Sequence, residues 1–250
     1  MEQDAIAAAV AEFAAARARG EYFPEAWRDR LALDDAYRIL LASPGDRRIG
    51  WKVGLTAPAI RQQFGVHEPV FGCLLADGLV KSGHVFHRDR LIEPGFENEL
   101  CLVFDRDLPA AATGADAAAA LTRVYPAFEI TETRGDLSRQ LALAIVDNAQ
   151  QRAFVLGAPV ERTGLPELDA VTVRVRVNGA EVATAGADAV LGHPCNAAAW
   201  LAAKLAQFGE RVRAGDYVMS GSFTRQFPLA AGDRIEASFA GIGTVTASVV

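Results

Sequence analysis

The sequence predicts an α+β fold in which helices come first and an antiparallel or mixed sheet, rolled into a sandwich or barrel-like body, follows. Three observations point there. Helix formers bounded by helix stops dominate the first third, short β-like runs punctuated by glycine begin at Phe71, and no β-α-β alternation with a G-x-G-x-x-G turn marks a dinucleotide fold.

Asp4 to Arg19 carries Ala, Glu and Arg in helix-forming proportions and stops at Gly20, which tolerates positive φ. A second helix is expected after Leu33, where Asp34 and Asp35 suit a helix N-terminus and Tyr37, Ile39, Leu40 and Leu41 give an apolar face. We therefore expect a smaller, mostly helical N-terminal portion over 1–70 and a β-rich portion over 71–250. In the latter, Val171, Val173, Val175 and Val177 alternate with Thr172, Arg174 and Arg176, and Asn178-Gly179 supplies tight-hairpin chemistry. A second hairpin is read at 234–249, turning at Gly241-Ile242-Gly243. Between the hairpins, 196–208 reads as a helix capped by Asn196, with Trp200, Leu201, Leu205 and Phe208 as its apolar stripe and Gly209 as its stop.

Composition narrows the function. A chain of 250 residues, 51% of them hydrophobic, can bury a large core. A net charge of −6 without any basic run lacks the footprint that nucleic acid requires. The N-terminal stretch has neither the basic start nor the apolar run of an export signal, and no segment suits a bilayer span, so a cytoplasmic location is expected. Cys73, Cys101 and Cys195 are scattered and form no C-x-x-C pair, which argues against a disulfide framework or a zinc cluster.

The chemistry is concentrated in acids. In Phe96-Glu97-Asn98-Glu99-Leu100-Cys101-Leu102-Val103-Phe104, strand alternation puts Phe96, Leu100, Leu102 and Phe104 on one face and Glu97 and Glu99 on the other, roughly 7 Å apart at Cα. Two carboxylates pointing the same way repel unless a cation lies between them, and hard oxygen ligands suit Mg²⁺ or Mn²⁺ better than zinc. Glu129, between Phe128 and Ile130, supplies a third acid from a second strand. Solvated strand faces carry the same E-x-E pattern, so alternation alone leaves both readings open. Lys52, flanked by apolar residues and glycines in Gly50-Trp51-Lys52-Val53-Gly54, suits either a pocket or a snorkelling side chain. Ser220-Gly221-Ser222 follows the strand-like Tyr217-Val218-Met219 and is either an anion-facing turn or an ordinary one. His193 reads as a turn residue bonded to backbone.

These stretches together resemble the 2-oxopent-4-enoate hydratase and 4-oxalocrotonate decarboxylase group of the fumarylacetoacetate hydrolase superfamily. The segments that carry the resemblance are Trp51-Lys52-Val53-Gly54-Leu55-Thr56, Phe71-Gly72-Cys73-Leu74-Leu75-Ala76-Asp77, Phe96-Glu97-Asn98-Glu99, Pro126-Ala127-Phe128-Glu129-Ile130, Val146-Asp147-Asn148-Ala149, Leu191-Gly192-His193-Pro194-Cys195-Asn196-Ala197-Ala198 and the Ser220 turn. They run in the family's order from about residue 48 to the C-terminus. The resemblance implies a β-rich roll of the fumarylacetoacetate hydrolase type, a homo-oligomer, and Mg²⁺ or Mn²⁺ bound by Glu97, Glu99 and Glu129. Lys52 and Asp77 are then the expected catalytic residues, and Asn148, Ser220 and Ser222 expected substrate-binding positions, to which Gln150 and Arg152 are added from a loop that departs from the family pattern. The implied substrate is a small 2-oxo or 2-hydroxydienoic acid, and the implied reaction is hydration of 2-hydroxypenta-2,4-dienoate to 4-hydroxy-2-oxopentanoate. The alternatives are decarboxylation of 4-oxalocrotonate, C–C hydrolysis of an acylpyruvate with His67-Glu68 as a weak base pair, or a non-catalytic partner subunit.

Two segments depart from the group. Gln150-Gln151-Arg152 stands where typical hydratases continue with small residues, and Thr133-Arg134-Gly135-Asp136 replaces the usual Ser-Arg-Ile. Either Arg152 or Arg225 is therefore a candidate partner for a second substrate carboxylate.

Overall fold

The computed structural model describes residues 1–63 and 65–250. In chain order the helices are α1 (Gln3–Ala18), α2 (Leu33–Ala42), α3 (Pro58–Gln63), α4 (Gly114–Ala120), α5 (Leu141–Val146) and α6 (Pro194–Ala206). The strands are β1 (Arg48–Gly54), β2 (Val70–Leu75), β3 (Leu79–Lys81), β4 (His84–Phe86), β5 (Pro94–Phe104), β6 (Leu121–Glu132) and β7 (Gln151–Leu156), then β8 (Val160–Glu161), β9 (Thr172–Val177), β10 (Ala180–Gly186), β11 (Tyr217–Met219), β12 (Phe227–Pro228), β13 (Arg234–Phe239) and β14 (Gly243–Val249). The expected helices and hairpins are present, with Asn178 and Gly179 both at positive φ in the β9–β10 turn. One cap differs. His193 caps α6, its Nδ1 accepting from the Cys195 N–H at 3.0 Å, because Pro194 starts the helix two residues before Asn196.

Nine strands form one sheet, running β2-β1-β11-β5-β6-β7-β3 with β12 on β5 and β8 on β6. The first and last strands of that path, β2 and β3, are joined only by the turn Ala76–Gly78. So short a link between opposite edges makes the sheet roll back on itself, and the seam is closed by a side chain. Asn148, just before β7, accepts from the Cys73 N–H at 2.7 Å and donates to the Cys73 carbonyl at 2.8 Å, standing in for a strand neighbour of β2. Inside the roll lies a small apolar cluster of Leu74, Cys101, Val103, Tyr125, Ala127, Phe154, Leu156 and Met219. The opposite face, with Phe96, Leu100, Leu102, Phe128 and Ile130, joins the main core. Part of that core is the inner face of a second sheet, β10-β9-β13-β14-β4, to which Val173, Val175, Ile235 and Val245 contribute.

The expected border near residue 70 does not separate helices from sheet. β1, within the N-terminal portion, is an interior strand of the roll, antiparallel to β2 and parallel to β11. A Cβ at Gly50 would collide with the Tyr217 carbonyl where β1 and β11 meet, so only glycine permits this pairing and the placement of Lys52 two residues on. We expect Gly50→Ala to cost about 3 kcal/mol or more, measured as a lowered urea midpoint with an unchanged m-value.

Candidate metal centre and substrate cavity

The two longest strands place the acids. In the antiparallel β5–β6 pair, Glu97 lies directly across from Glu129 and Glu99 across from Ala127, so all three carboxylates enter the roll at one end of its apolar filling. Like charges directly opposed across a ladder are destabilising unless something compensates. Glu99 and Glu129 are fully buried, and Glu97 opens onto a cavity of about 630 Å³.

Two compensations are built in. The Lys52 ammonium stands 3.1 Å from Glu129 Oε1, and the Gly221 N–H donates to Glu99 Oε2 at 2.8 Å. Gly221 sits at φ +103°, and a Cβ there would strike the Thr56 side chain, so glycine is what brings this donor to the carboxylate. The serine turn thus supports a metal-ligand candidate through its backbone. Burial alone would push Lys52 toward its neutral form, but the combined attraction of Glu129, Glu97 and Glu99 outweighs it and raises its pKa. Lys52 also donates to the Ala149 carbonyl at 3.4 Å. That carbonyl is aimed by three successive left-handed residues, Asn148 (φ 59°), Ala149 (φ 46°) and Gln150 (φ 63°), a conformation that costs roughly 1–2 kcal/mol per non-glycine residue.

A positive charge is still lacking. Burial and then the neighbouring Glu129 push the Glu97 carboxyl up to about 7, and Glu99 is raised well above the usual range for the same reasons. Among the described residues, Glu99 Oε1 and Glu129 Oε2 have no hydrogen-bond donor, and Glu129 Oε1 has only the Lys52 ammonium. One oxygen from each of the three acids lies within 4.8 Å of the others. Orphaned, converging carboxylate oxygens at a cavity's closed end fit a hard divalent cation.

The other expected site residues separate into two groups. Gln150 and Ser222 line the cavity with Lys52 and Glu97, and so does Arg225. Gln150 is tied down by its Nε2, which donates to the Gly135 carbonyl at 2.7 Å. Ser220 is buried, its hydroxyl 3.4 Å from the Gly221 carbonyl. The structure does not bring Asp77, Asn148 or Arg152 to this cavity. Lys52 is paired with Gly72, and the three residues from Cys73 to Leu75 carry β2 roughly 10 Å onward before the turn that holds Asp77. Asp77 is exposed there and meets Arg47 at 3.4 Å. Arg152 faces Glu132 at 3.8 Å outside the roll, and Asn148 is spent on the seam. Sequence reading missed the Gly221 N–H and the Ala149 carbonyl, since backbone groups carry no residue-type signal. It also missed the buried group beside the seam, where Arg134 bonds Glu132 at 2.7 Å and Asp147 at 2.6 Å while Arg17 of α1 pairs with Asp147.

A rolled sheet with converging acids at the end of a concave cavity defines a small-molecule enzyme built for anionic or carbonyl-bearing ligands. The chain belongs to the fumarylacetoacetate hydrolase family, whose C-terminal domain model matches residues 57–250. Among its relatives is 2-keto-4-pentenoate hydratase 1 of Dechloromonas aromatica (strain RCB), 35% identical over an alignment of 231 residues, with 88% of each chain covered. Another is 2-hydroxyhexa-2,4-dienoate hydratase of Comamonas testosteroni, 33% identical over 86% of this chain and 85% of its own. Among solved structures, 4-oxalocrotonate decarboxylase from Pseudomonas putida G7, complexed with magnesium and adipate, superposes with a TM-score of 0.90 at 28% identity, covering 100% of this chain and 99% of that one.

The raised carboxyl pKa values carry a linkage. Without metal, Glu97 stabilises the fold fully below about 4.5, its ordinary value, and that contribution is lost as pH rises through about 7, with Glu99 shifted in the same direction. Divalent ions take the deprotonated form, so their affinity rises over the same window. At about a hundredfold excess over Kd, we expect MgCl₂ to raise Tm by about 5–10 °C at pH 8 and by clearly less at pH 5.5. Scanning calorimetry checks this, and a pH-independent increment contradicts it.

Proposed function

We propose that this chain is a divalent-metal-dependent hydro-lyase that converts 2-hydroxypenta-2,4-dienoate to 4-hydroxy-2-oxopentanoate. The observation that carries the proposal is the set of Glu97, Glu99 and Glu129 meeting Lys52 at the closed end of one cavity, in a chain whose relatives of near-equal length are named hydratases. A divalent ion bound by the three acids supplies Lewis-acid polarisation of a 2-oxo group and its adjoining carboxylate.

This chain's own residues do the rest. Lys52, charged and facing the same end of the cavity, attracts the substrate carboxylate and offers a proton donor there. In the balanced reaction, C5 gains a proton as the 2-hydroxyl loses one, giving the conjugated enone. Water then delivers hydroxide to C4 and a proton to C3. Gln150, Ser222 and Thr224 offer polar groups along the cavity wall for the added water, and Leu55, Ile60 and Val70 offer an apolar wall for the carbon chain.

A second reading, decarboxylation of a six-carbon 2-oxo dicarboxylate, is favoured by Arg225. It lines the cavity, stacks 4.2 Å over the Phe227 ring and has no carboxylate partner among the described residues. The C–C hydrolase reading gains nothing from His67-Glu68, because Glu68 is held by Lys204 at 2.7 Å and neither residue lines the cavity.

The test is loss of dienol absorbance by chelator-treated protein with and without Mg²⁺ or Mn²⁺. We expect metal-dependent hydration without CO₂ release, and a loss in kcat/KM of about a hundredfold or more in Glu97→Gln, the scale of removing a charge-stabilising group. Release of CO₂ from 4-oxalocrotonate, weakened in Arg225→Ala, moves the assignment to the decarboxylase. Turnover of neither substrate by metal-loaded protein overturns both.

A further inference from the structure

The cavity wall beside the acids is completed by a residue that no motif singled out. Phe227 pairs with Phe96 across the β12–β5 ladder, and the two rings stack with centroids 5.5 Å apart on the main-core face. Side chains alternate along a strand, so Gln226, one residue earlier, is turned to the opposite face, the one that carries Glu97. It lines the cavity there. A second observation places its amide. Gly95 lies two residues before Glu97 on the same face, and a Cβ built on it would collide with Gln226 Nε2. The amide therefore rests on bare backbone, roughly 7 Å along β5 from Glu97, in a place that any side chain at position 95 would fill.

The other polar groups of this wall are engaged. Gln150 Nε2 donates to the Gly135 carbonyl at 2.7 Å. Thr224 Oγ1 accepts from Asn98 Nδ2 and donates to the Arg225 carbonyl at 3.0 Å, and the Ser222 hydroxyl lies 3.4 Å from the Asn98 carbonyl. Gln226 differs. It is exposed, and outside the ladder its bond among the described residues is made by its backbone carbonyl, which accepts from Arg225 Nη1 at 3.3 Å. Both ends of its side-chain amide are open to a ligand.

An uncharged amide both donates and accepts hydrogen bonds, and so does a hydroxyl group, whereas an ionised carboxylate only accepts. Gln226 thus suits a hydroxyl better than a second carboxylate. With the 2-oxo acid end held by the metal centre and Lys52, a five-carbon chain running along β5 from Glu97 brings C4 toward this amide.

We propose that Gln226 is a specificity-determining residue whose amide, laid on Gly95, binds the hydroxyl carried by C4; this rests on the proposed placement of the acid end at Glu97, Glu99 and Glu129. The test is calorimetric titration of Mg²⁺-loaded protein with racemic 4-hydroxy-2-oxopentanoate and with 2-oxopentanoate, which lacks the hydroxyl. We expect the hydroxy acid to bind about fivefold to tenfold more tightly, the scale of one hydrogen bond between uncharged groups. Gln226→Ala should remove that preference. Gly95→Ala should remove it too, with Gln226 still present, because the added methyl displaces the flexible end of the glutamine. A purely structural effect weakens both ligands alike and leaves the preference in place. Gln226 loses the role if the wild type binds both acids equally, if it binds neither, or if the preference survives either variant. Should Gly95→Ala fail to fold, Gln226→Ala decides alone. Dienol hydration without the preference keeps the hydratase assignment and removes Gln226 from it; the preference without hydration does the reverse.

Discussion

Three carboxylates face one another inside a rolled sheet with a single ammonium beside them, and the rest of the architecture answers to that imbalance. The β5–β6 register places Glu97 against Glu129, which a sheet tolerates only with compensating charge or protonation. Lys52 supplies one positive charge and the Gly221 N–H a partial one, and the oxygens that remain without donors leave room for a cation. Because Lys52 comes from β1 and Gly221 from the turn after β11, the centre forms only when a strand from the N-terminal portion is threaded between two later ones. Folding of the sheet and assembly of the centre are therefore one event.

Closure of the roll makes a second demand. Strands at opposite ends of the sheet are tied by a three-residue turn, and the gap between them is bridged by Asn148. Reaching that bridge requires the left-handed run at Asn148, Ala149 and Gln150, and the run is anchored by Asp147, which Arg134 and Arg17 grip from two sides. Burial raises the Asp147 carboxyl pKa in spite of both arginines. The same turn delivers the Ala149 carbonyl to Lys52, so the strain at the seam is connected to the chemistry. Arg17 lies outside the segment that matches the family domain, which gives the N-terminal helix a part in holding this turn.

Several elements were legible from the chain alone because their cause is local. Alternation on β5 and β6 puts Glu97, Glu99 and Glu129 opposite to Phe96, Leu100, Phe128 and Ile130, and the structure places them so. The stops at Gly20 and Gly209 and the Asn178-Gly179 turn work through backbone φ preferences and needed no tertiary information. Asp77 and Asn148 were grouped with the cavity because they lie in segments characteristic of the family, and Arg152 because its segment departs from them. Their side-chain directions, however, are set by where β2 ends and by the left-handed turn, and neither has a residue-type signature. Strand pairing crosses the division near 70 for a related reason: the partners of β1 are strands from Val70 onward and from Tyr217 onward, and the latter is far away in sequence.

By itself, the sequence determined which faces are apolar, where helices and hairpins stop, and which acids share a strand face, since these follow from periodicity and from the conformational limits of individual residues. Only the tertiary structure decided that the acids of two strands converge, that Lys52 meets them, and that the serine turn acts through the Gly221 N–H. It also decided that Gln150 lines the cavity while Arg152, two residues on, lies outside the roll. Those outcomes rest on strand register and on closure of the roll, which depend on pairing energies summed over distant segments and are encoded in no single stretch of chain.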